Sequence, residues 1–453
     1  MTPSQLKTKR ILVVGAGVTG VSVMQYLKQH AVRFDVTDSK SEPPGSVMKL
    51  IGSESYIADL QSVDIHNYDV MILSPGIPRT HPMLAAAIES GVHVIGDVEL
   101  FAAVVPGDVI AITGSNGKST VASMAAHVLK SCGRSVVLCG NIGTAVLDVL
   151  PKEPMSKGDA DAPLCVLELS SYQLESLHQL TPLSATVLNI SDDHLDRYDS
   201  IEHYAETKRH VYTQAALCVA NTDDKRTHPK NSSNDSTPDT VWFSLKDSCA
   251  NYHATKTDDG LALCIEGKCV LIAEELSVPG EHNVANALAV MALLHPLNLT
   301  HSELKQGLIT FRGLAHRTEL VAERKGVLWF NDSKGTNVDA CMKAVLAMPG
   351  SVILIAGGQS KGVDFSPLRD VVTKHVKALL LIGEDAPLIR KALTGTTELF
   401  DVESMLAAVQ LADQLAKPGD AVLLSPACAS FDMFENYMAR GRVFCESVEQ
   451  LAA

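Results

Sequence analysis

Two features are missing from this sequence: a pair of cysteines at the C-x-x-C spacing, and an apolar run long enough to cross a membrane. The ten cysteines are scattered singly along 453 residues. We therefore expect reduced, mostly buried thiols rather than a disulfide framework or a zinc site. The apolar run that starts at Ile11 is soon broken by glycine, which is unlike the core of a signal peptide. We expect a cytoplasmic protein that is neither exported nor inserted into a membrane.

Positive charge is also in deficit. The 38 Lys and Arg residues stand against 52 Asp and Glu residues, which gives a formal net charge of −14. Such a chain has no general affinity for nucleic acid, so any anionic ligand must be held by a local site. Apolar residues make up 46% and charged residues 20%, which excludes wholesale disorder, and the length predicts two to four domains.

The most informative segment is Ala111–Thr120, in which an apolar strand runs into a glycine-rich turn and then a helix. Gly114 and Gly117 would let backbone N–H groups point inward, and the helix N-terminus adds positive potential. Lys118 suits the β- and γ-phosphates of a nucleotide, and the Ser119 hydroxyl suits Mg²⁺. The segment predicts a phosphate-binding loop, with a plain strand-to-helix turn as the alternative.

This loop departs from the common pattern, which has glycine six residues before the lysine, because Ile112 occupies that position. Identification must therefore come from other motifs. Gly133 is expected to end the helix that follows, whose apolar residues recur at helical spacing: Val121, Met124, Ala125, Val128 and Leu129.

A second glycine motif, Gly15-Ala-Gly-Val-Thr-Gly20, also lies between a predicted strand and a predicted helix. With an acid at the end of the next strand it matches a dinucleotide-binding fingerprint, but such a turn accepts any pyrophosphate, including that of a nucleotide sugar. Glycines that serve only strand–helix packing are the alternative. The residues expected at this diphosphate and nucleoside site are Gly15, Gly17, Thr19, Gly20, Asp38 and Ser39.

Apolar runs alternate with helical periodicity, which predicts a parallel α/β architecture. We expect three domains: a Rossmann-like domain at 1–96, a P-loop ATPase-like domain with a mostly parallel sheet at 97–313, and a second Rossmann-like domain at 314–453. Short antiparallel-like segments are expected at about Asp239–Ala273, and a flexible surface insertion at Thr222–Thr240. The predicted parallel strands are Ile11–Val14, Arg33–Thr37, Val70–Leu73, Val92–Ile95, Val109–Thr113, Ser135–Leu138, Leu164–Glu168, Ala185–Asn189, Ala216–Asn221, Val327–Asn331, Val352–Ala356, Ala378–Ile382 and Ala421–Leu424.

Downstream of the phosphate loop, an apolar strand ends in the carboxylate of Glu168. Transfer of a γ-phosphoryl group needs Mg²⁺ to neutralise charge, so a carboxylate beside the loop suits a metal ligand. A later strand runs into a cluster of acids around His194, which is a ligand candidate with a surface histidine as the alternative. Lys208, on a predicted helix, would by default be a solvated surface lysine.

Together these segments resemble the Mur ligases, the ATP-dependent amide-forming enzymes of peptidoglycan precursor synthesis. The resemblance covers essentially the whole chain, and the order and spacing of its motifs are specific. The motifs are Thr113–Thr120, Glu168–Glu175, Asp193–Tyr198, Gly280–Ala287, Gly313–Arg317, Asn331–Asn337 and Leu424–Asp432.

The resemblance implies an ATP site and two Mg²⁺ sites. Lys208 would carry CO₂ as a carbamate, which turns an ammonium into a carboxylate that faces the metal. The residues implied in ATP binding are Gly114, Ser115, Asn116, Gly117, Lys118, Ser119, Thr120, Asn283, Asn286, Arg317 and Asp332. The implied metal ligands are Ser119, Glu168, Ser170, His194 and Lys208, and the implied catalytic residues are Lys118, Glu168, His194, Lys208 and Lys334.

The implied partners are UDP-N-acetylmuramoyl-L-alanine, D-glutamate and ATP, with no nucleic acid, and the chain is expected to be a monomer. Lys334 and Lys361 are candidates for the developing charge and for the carboxylates of D-glutamate, and a surface position is the alternative for each. Tyr437 departs from the family, which usually has Phe there. The residues implied in substrate binding are Gly17, Val18, Thr19, Asp38, Ser39, Ser74, Gly76, Asn141, Thr336, Lys361, Ser430 and Tyr437.

The implied reaction makes an amide in water. ATP phosphorylates the L-alanyl carboxylate, and the acyl phosphate is attacked by the amine of D-glutamate to give a tetrahedral intermediate that collapses to amide and phosphate. The implied ATP residues lie mainly in the second block, whereas Arg317, Asp332 and Lys334 lie in the third. We therefore expect hinge closure near Leu314–Thr318 when nucleotide binds.

Three other functions remain open at this point. An NAD-dependent oxidoreductase would use Gly15–Gly20 and Asp38, but no hydride-transfer machinery is recognisable. A P-loop binding or switch protein would bind nucleotide without forming an acyl phosphate. A related ligase, of the folylpolyglutamate type or adding L-alanine or a diamino acid, is the nearest alternative. The third block lacks the Asp-Asn-Pro-Arg motif expected of a diamino-acid ligase.

Overall fold

Three sheets organise the computed structural model, which describes residues 1–43, 45–51, 56–153, 155–191, 197–230, 239–360 and 362–451. The chain forms two compact units. One comprises Met1–Leu271 and Ala285–Gly307, and the other Ile272–Val284 and Leu308–Ala453. No helix in the described ranges has both the length and the apolar character needed to span a membrane.

The first sheet lies in the first unit, and its described strands follow the order β3-β2-β1-β4-β5, all parallel. The order reverses between β1 and β4, so a crevice forms outside the carboxyl ends of these two strands. The strands are β1 (Ile11–Val14), β2 (Asp35–Asp38), β3 (Tyr56–Ala58), β4 (Val70–Leu73) and β5 (His93–Gly96), and the helices are α1 (Pro3–Leu6), α2 (Val18–Gln29), α3 (Gly45–Met48) and α4 (Pro82–Glu89).

The second sheet belongs to the same unit, apart from Ile272, the last residue of β14, and runs in the order β14-β13-β12-β11-β10-β9-β6-β8-β7. Its strands are parallel from β7 to β12, and β13 is antiparallel to β12. The strands are β6 (Val109–Thr113), β7 (Val136–Gly140), β8 (Leu164–Glu168), β9 (Ser184–Val187), β10 (Leu217–Asn221), β11 (Thr240–Ser244), β12 (Tyr252–Thr257), β13 (Gly260–Ile265) and β14 (Lys268–Ile272). The helices are α5 (Asp97–Ala102), α6 (Lys118–Ser131), α7 (Ser171–Leu174), α8 (Ile201–Arg209), α9 (Glu281–Leu293) and α10 (His301–Ile309).

The third sheet lies in the second unit in the order β15-β16-β20-β17-β18-β19, parallel except for the pairing of β15 with β16. Apolar layers cover both of its faces. The strands are β15 (Glu319–Arg324), β16 (Val327–Asn331), β17 (Val352–Gly357), β18 (Val376–Ile382), β19 (Glu398–Asp401) and β20 (Ala421–Leu424). The helices are α11 (Val338–Leu346), α12 (Arg369–His375), α13 (Ala386–Leu393), α14 (Met405–Leu415) and α15 (Tyr437–Glu449).

The predicted fold class, α/β with mostly parallel sheets, is confirmed. Every predicted parallel strand is present, and the bounds differ by no more than a few residues. Helix α6 buries the apolar face predicted for it and is followed by Gly133 with φ +75°. The boundaries 1–96, 97–313 and 314–453 remain a prediction.

Two predictions about the second sheet are wrong for the residues that the structure describes. The segment at Asp239–Ala273 is not wholly antiparallel, because β11 and β12 extend the parallel part of the sheet. The insertion predicted at Thr222–Thr240 is built into the fold at both ends. The Thr227 side chain is buried and hydrogen-bonded to Asn221, and Thr240 begins β11. Residues 231–238 lie outside the described ranges.

Candidate active site

The glycine-rich loop connects the carboxyl end of β6 to the N-terminus of α6. Gly114 and Gly117 have φ +149° and +82°, which confirms that both positions need glycine. A Cβ at Gly117 would lie 2.7 Å from Oδ1 of Asn286, so this ATP-site candidate packs directly against the loop. The described structure therefore brings the predicted loop and one predicted adenine-side residue together.

Asn189, the second residue after β9, fixes the loop. Its carbonyl accepts the N–H of Ser115 at 2.9 Å, and its Oδ1 accepts the N–H of Asn116 at 2.8 Å. Its Nδ2 donates to the carbonyl of Asn116 at 3.1 Å. The backbone N–H groups of Ser115 and Asn116 thus engage the protein. The donors best placed for phosphate are those at the start of α6, at Lys118, Ser119 and Thr120.

Lys118 reaches back over the loop. Its Nζ donates to the carbonyls of Gly114 and Ser115, each at 2.9 Å. Ser119, in the first turn of α6, is buried. The ammonium is therefore held at the mouth of the loop, where the sequence predicted it would meet phosphate.

Glu168 ends β8, the strand beside β6, and pairs in register with Ile112. Its side chain is 1% exposed. Oε1 accepts a hydrogen bond from Asn141 Nδ2 at 2.8 Å, whereas Oε2 is buried with no hydrogen-bond partner among the described residues. A buried carboxylate oxygen left in this state is costly unless a cation or donor binds it. Asn141, predicted to contact substrate, orients Glu168 in this structure.

Lys208 is not the solvated surface residue that its helix position would suggest. It lies on α8 and is 1% exposed. Its Nζ lies 3.4 Å from Oγ1 of Thr113, the residue that ends β6, and 4.6 Å from the ring centroid of Tyr204. Buried lysines are rare and are usually functional or paired. Both Glu168 and Lys208 thus lie beside the end of β6.

Of the two remaining predicted metal ligands, Ser170 and His194, the structure describes only Ser170. Ser170 caps α7, and its Oγ accepts the N–H of Gln173 at 3.2 Å. His194 lies outside the described residues. Within the described ranges, no group of three or more His, Cys, Asp and Glu side chains forms a metal cluster.

The glycine motif Gly15–Gly20 lies at the point where the strand order of the first sheet reverses. Gly15 and Gly20 serve packing, because added Cβ atoms would lie 2.6 Å from Ser74 Oγ and 1.9 Å from the Gly15 carbonyl oxygen, respectively. A Cβ at Gly17 or Gly76 would meet nothing within 4 Å. Gly15 and Gly20 therefore serve strand–helix packing. Gly17 of the motif, and Gly76 after β4, border open space at the carboxyl ends of β1 and β4, as a ligand site requires.

Asp38, at the end of β2, shapes this crevice from the side. Its Oδ2 accepts the N–H of Ala16 at 2.7 Å, and its Oδ1 accepts the N–H of Lys40 and the hydroxyl of Ser39. Val18, which begins α2, is 84% exposed, and Thr19 is half-buried beside it. Val18 is thus a large apolar side chain left open at the predicted substrate site.

Arg197 joins the motifs of the first two sheets. It forms two hydrogen bonds to the carboxylate of Glu175, at 2.7 and 3.1 Å, and stacks on the ring of Tyr172 at 4.0 Å. Its third contact, at 3.2 Å, is to the carbonyl of Pro75, between the predicted substrate residues Ser74 and Gly76. Arg197 therefore ties the segment after β8 to the crevice of the first sheet.

Within the second unit, Asp332 follows β16 and holds the loop that carries Arg317. Its Oδ1 accepts the N–H of Thr318 at 3.1 Å, and its Oδ2 accepts the hydroxyl of Ser425 at 2.7 Å. His316 and Thr318 have φ +63° and +48°, so Arg317 stands in a strained turn. Burial raises the pKa of Asp332 to about 6.

Lys334 follows the same strand, and its Nζ lies 5.9 Å from the ring centroid of Tyr437 at the start of α15. Thr336 is exposed two residues later. Ser430, which is buried, follows β20, the strand next to β16. These candidates thus share one edge of the third sheet. Lys361, after β17, lies outside the described residues.

Arg440, which was not among the predicted site residues, connects two segments at this edge of the third sheet. Its guanidinium is fully buried and donates to the hydroxyl and carbonyl of Ser333 and to the carbonyls of Cys428 and Ala429. It thereby links the segment before Lys334 to the segment before Ser430. No local pattern separates such an arginine from a surface one on a helix. Asn189 had a detectable signal, because it follows a strand beside the phosphate loop.

Family models match three successive parts of the chain. The Mur ligase MurD-like N-terminal domain matches residues 9–96, the Mur ligase middle domain 112–294, and the Mur ligase glutamate ligase domain 316–428. The three-domain composition expected from the sequence is therefore confirmed.

Curated relatives match over almost the full length. The UDP-N-acetylmuramoylalanine–D-glutamate ligase of Pseudoalteromonas translucida (strain TAC 125) is 44% identical over 451 residues, which are 98% of each chain. The protein of that name from Nitrosomonas europaea (strain ATCC 19718 / CIP 103999 / KCTC 2705 / NBRC 14298) is 41% identical over 465 residues, 97% of this chain and 96% of the relative.

Solved structures agree in fold. A UDP-N-acetylmuramate–alanine ligase from Thermotoga maritima gives a TM-score of 0.56 at 20% identity, over 97% of this chain and 99% of that chain. A UDP-N-acetylmuramoyl-L-alanyl-D-glutamate–2,6-diaminopimelate ligase gives 0.60 at 17% identity, over 87% and 94%. Together with the family models and the full-length relatives, these matches show that the chain belongs to the Mur ligase family.

Proposed function

We propose that this enzyme joins D-glutamate to UDP-N-acetylmuramoyl-L-alanine, with ATP converted to ADP and phosphate through an acyl phosphate, in peptidoglycan precursor synthesis. The observation that carries this proposal is the arrangement around β6: a phosphate loop at its end, buried Glu168 on the neighbouring strand and buried Lys208 against Thr113. The names of the full-length relatives select D-glutamate among the amino acids that the family adds.

The residues around β6 fit Mg²⁺. The buried Oε2 of Glu168, without a partner among the described residues, is an oxygen ligand of the kind that Mg²⁺ prefers. We assign Ser119 and Glu168 to one ion, and Ser170, His194 and Lys208, as its carbamate, to a second. Bound Mg²⁺ would neutralise charge on the phosphates during transfer.

The protein's own groups then have separate tasks. Lys118 and the first N–H groups of α6 hold the β- and γ-phosphates, with Asn283 and Asn286 on the adenine side. Gly17, Ser74 and Gly76 admit the nucleotide-sugar diphosphate at the crevice of the first sheet. Arg317 approaches phosphate from the loop that Asp332 holds.

D-Glutamate is assigned to the third sheet. Lys334 supplies positive charge beside Tyr437, and Thr336 and Ser430 follow strands at the same edge of the sheet. Lys361 is assigned to the same substrate from its place in the sequence. A lysine at this edge suits a substrate with two carboxylates and would stabilise the charge that develops as its amine attacks.

The proposal is tested by phosphate release. Enzyme, ATP, Mg²⁺ and UDP-N-acetylmuramoyl-L-alanine are combined with D-glutamate, L-glutamate, L-alanine or diaminopimelate in separate reactions. We expect sustained release with D-glutamate alone. Activity with L-alanine or diaminopimelate but not with D-glutamate would assign the chain to another ligase of the family.

We also propose a cytoplasmic monomer that closes about Leu314–Thr318 when nucleotide binds, since the proposed reaction uses Arg317 and Lys334 as well as the phosphate loop. Small-angle scattering with and without an ATP analogue measures this directly. We expect a smaller radius of gyration with nucleotide and a mass of one chain. Equal dimensions in the two states would contradict the closure.

A further inference from the structure

Two cysteines face each other on a hairpin at the edge of the second sheet. Cys264 lies on β13 and Cys269 on β14, and their Sγ atoms are 2.9 Å apart. Cys264 is buried and Cys269 is exposed. Neither residue contributes to the proposed ligase site.

The turn between the strands explains this pairing. β13 ends at Ile265 and β14 begins at Lys268, so two residues connect them, and such neighbours are antiparallel. Glu266 and Gly267 both have positive φ, +47° and +80°, as in a type I′ turn. In this register the next pair, Cys264 and Cys269, stands directly opposite on one face in a non-hydrogen-bonded position, where Cα atoms approach to about 4.5 Å. That spacing lies within the range of disulfides.

We propose that Cys264 and Cys269 form a dithiol site that is oxidised reversibly to a disulfide by low-molecular-weight disulfides such as glutathione disulfide. The Cys269 thiolate attacks one sulfur of the oxidant, whose S–S bond breaks and releases one glutathione thiolate. Cys264 then loses its proton and attacks Sγ of Cys269, which releases the second glutathione thiolate. Both thiolates are protonated, so two protein thiols are oxidised and one small disulfide is reduced to two thiols.

The order of the two steps follows from accessibility and charge. Cys269 is exposed, so an oxidant as large as glutathione disulfide can reach it. Burial raises the pKa of the Cys264 thiol to about 12, so Cys264 is a poor first nucleophile. Once the mixed disulfide forms, the proximity of the two sulfurs favours the second step.

Cys249 provides an internal comparison. It is also exposed, but as a lone thiol in a turn, where its N–H donates to Asp247. The same oxidant can leave only a mixed disulfide there. The hairpin and Cys249 are therefore expected to give products of different mass in one reaction.

The experiment treats the full-length enzyme with glutathione disulfide, blocks remaining thiols with an alkylating reagent, and measures peptide masses. We expect the hairpin peptide to lose two hydrogens and to regain them with dithiothreitol. Cys264→Ser should accumulate a glutathione adduct on Cys269 at least about tenfold above wild type, because the second step is removed. Cys269→Ser should leave Cys264 unmodified, and Cys249→Ser should leave the hairpin result unchanged.

Two outcomes would overturn the proposal. One is a lasting glutathione adduct on Cys269 in the wild-type enzyme. The other is a hairpin that stays reduced while Cys249 is modified. Thermal unfolding of each variant separates a loss of reactivity from a loss of folding, and these readouts do not depend on ligase activity.

Discussion

Among single positions, Lys208 offers the sharpest test of the proposed site. Its Nζ is buried against Thr113 and Tyr204. If it carries CO₂ as a metal-facing carbamate, Lys208→Ala should lower kcat at least roughly 100-fold, because loss of a ligand should cost no less than loss of a residue that supports one. Short carboxylates such as formate or acetate should restore part of the activity. Phosphate release measures both effects.

The control for this variant is Lys130→Ala, which changes an exposed lysine at the end of α6. It should leave kcat unchanged. Undiminished turnover in Lys208→Ala would contradict the carbamate. A large loss without rescue by carboxylates, at an unchanged thermal midpoint, would instead favour the lysine acting as a cation.

Gly117 gives a second test within the phosphate loop. Alanine there requires φ near +82° and places its Cβ 2.7 Å from Asn286 Oδ1. Left-handed strain of about 1–3 kcal/mol is then combined with displacement of Asn286. We expect the KM for ATP to rise at least about tenfold, equivalent to roughly 1.4 kcal/mol of binding free energy.

Gly133→Ala is the matched control. Gly133 has a similar φ of +75°, but a Cβ there would meet nothing within 4 Å. Both variants should lower the thermal midpoint through backbone strain, whereas only Gly117→Ala should alter the KM for ATP. Equal KM values in the two variants would show that the contact with Asn286 has no role in binding.

Local sequence signals predicted some of these positions better than others. The loop from Gly114 to Ser119 was predictable, because strand, glycine, lysine and helix follow one another directly. The burial of Lys208 was not, since it depends on how α8 packs against the end of β6. Arg440 was missed because its acceptors, Ser333, Cys428 and Ala429, lie in the segments that follow two different strands, β16 and β20.

Among the contacts between secondary-structure elements, the ion pair of Arg197 with Glu175 is the clearest example of one that holds the segment after β8 at the crevice of the first sheet. The two side chains are 12% and 15% exposed. Arg197→Met would leave the Glu175 carboxylate with fewer partners and release the Pro75 carbonyl. We expect a loss of about 3 kcal/mol in stability, typical of a broken buried pair, and a raised KM for UDP-N-acetylmuramoyl-L-alanine.

Arg10→Met is the corresponding control, because Arg10 pairs with Asp69 at a mostly exposed position. Exposed pairs contribute little, so its thermal midpoint and KM should stay close to wild type. Similar shifts in both variants would contradict the special role of Arg197.

Element prediction succeeded where strands are buried on both faces. The apolar runs of β1, β4, β6 and β20 stand out in any sequence, since parallel strands covered on both sides are apolar throughout. Short, incompletely buried edge strands such as β3 and β19 lack that signal. The error at Thr222 arose because polar composition was taken for mobility, whereas Asp223 and Asp224 bind backbone N–H groups of the sheet connections.

For the chain as a whole, two buried carboxyl groups set a pH dependence of stability. Burial raises the pKa of Asp97 and of Asp332 from 3.8 to about 6. Between about pH 4 and pH 6 each of these two groups therefore binds more protons in the native chain than in the unfolded chain, so their contribution to stability decreases as pH rises through this window. Asp97→Asn should raise the thermal midpoint at pH 7.5, by an amount equivalent to roughly 2–3 kcal/mol.

This gain should vanish near pH 4, where the native carboxyl group is protonated. Asp370→Asn is the control, because Asp370 is an exposed acid in the first turn of α12. Its effect should be small and should not follow the same pH window. A gain from Asp97→Asn that is equal at both pH values would contradict the raised pKa.

The anchoring of the phosphate loop by Asn189 bears on the thermodynamics of nucleotide binding. Ser115 and Asn116 already occupy fixed positions before any ligand arrives, so little backbone freedom remains to be lost on binding. Recognition of the phosphates should then approach a lock-and-key process, with most of any conformational adjustment elsewhere in the chain. Removal of the Asn189 hydrogen bonds would leave a loop that the nucleotide must order on binding. The binding free energy would then be reduced by a loss of backbone entropy.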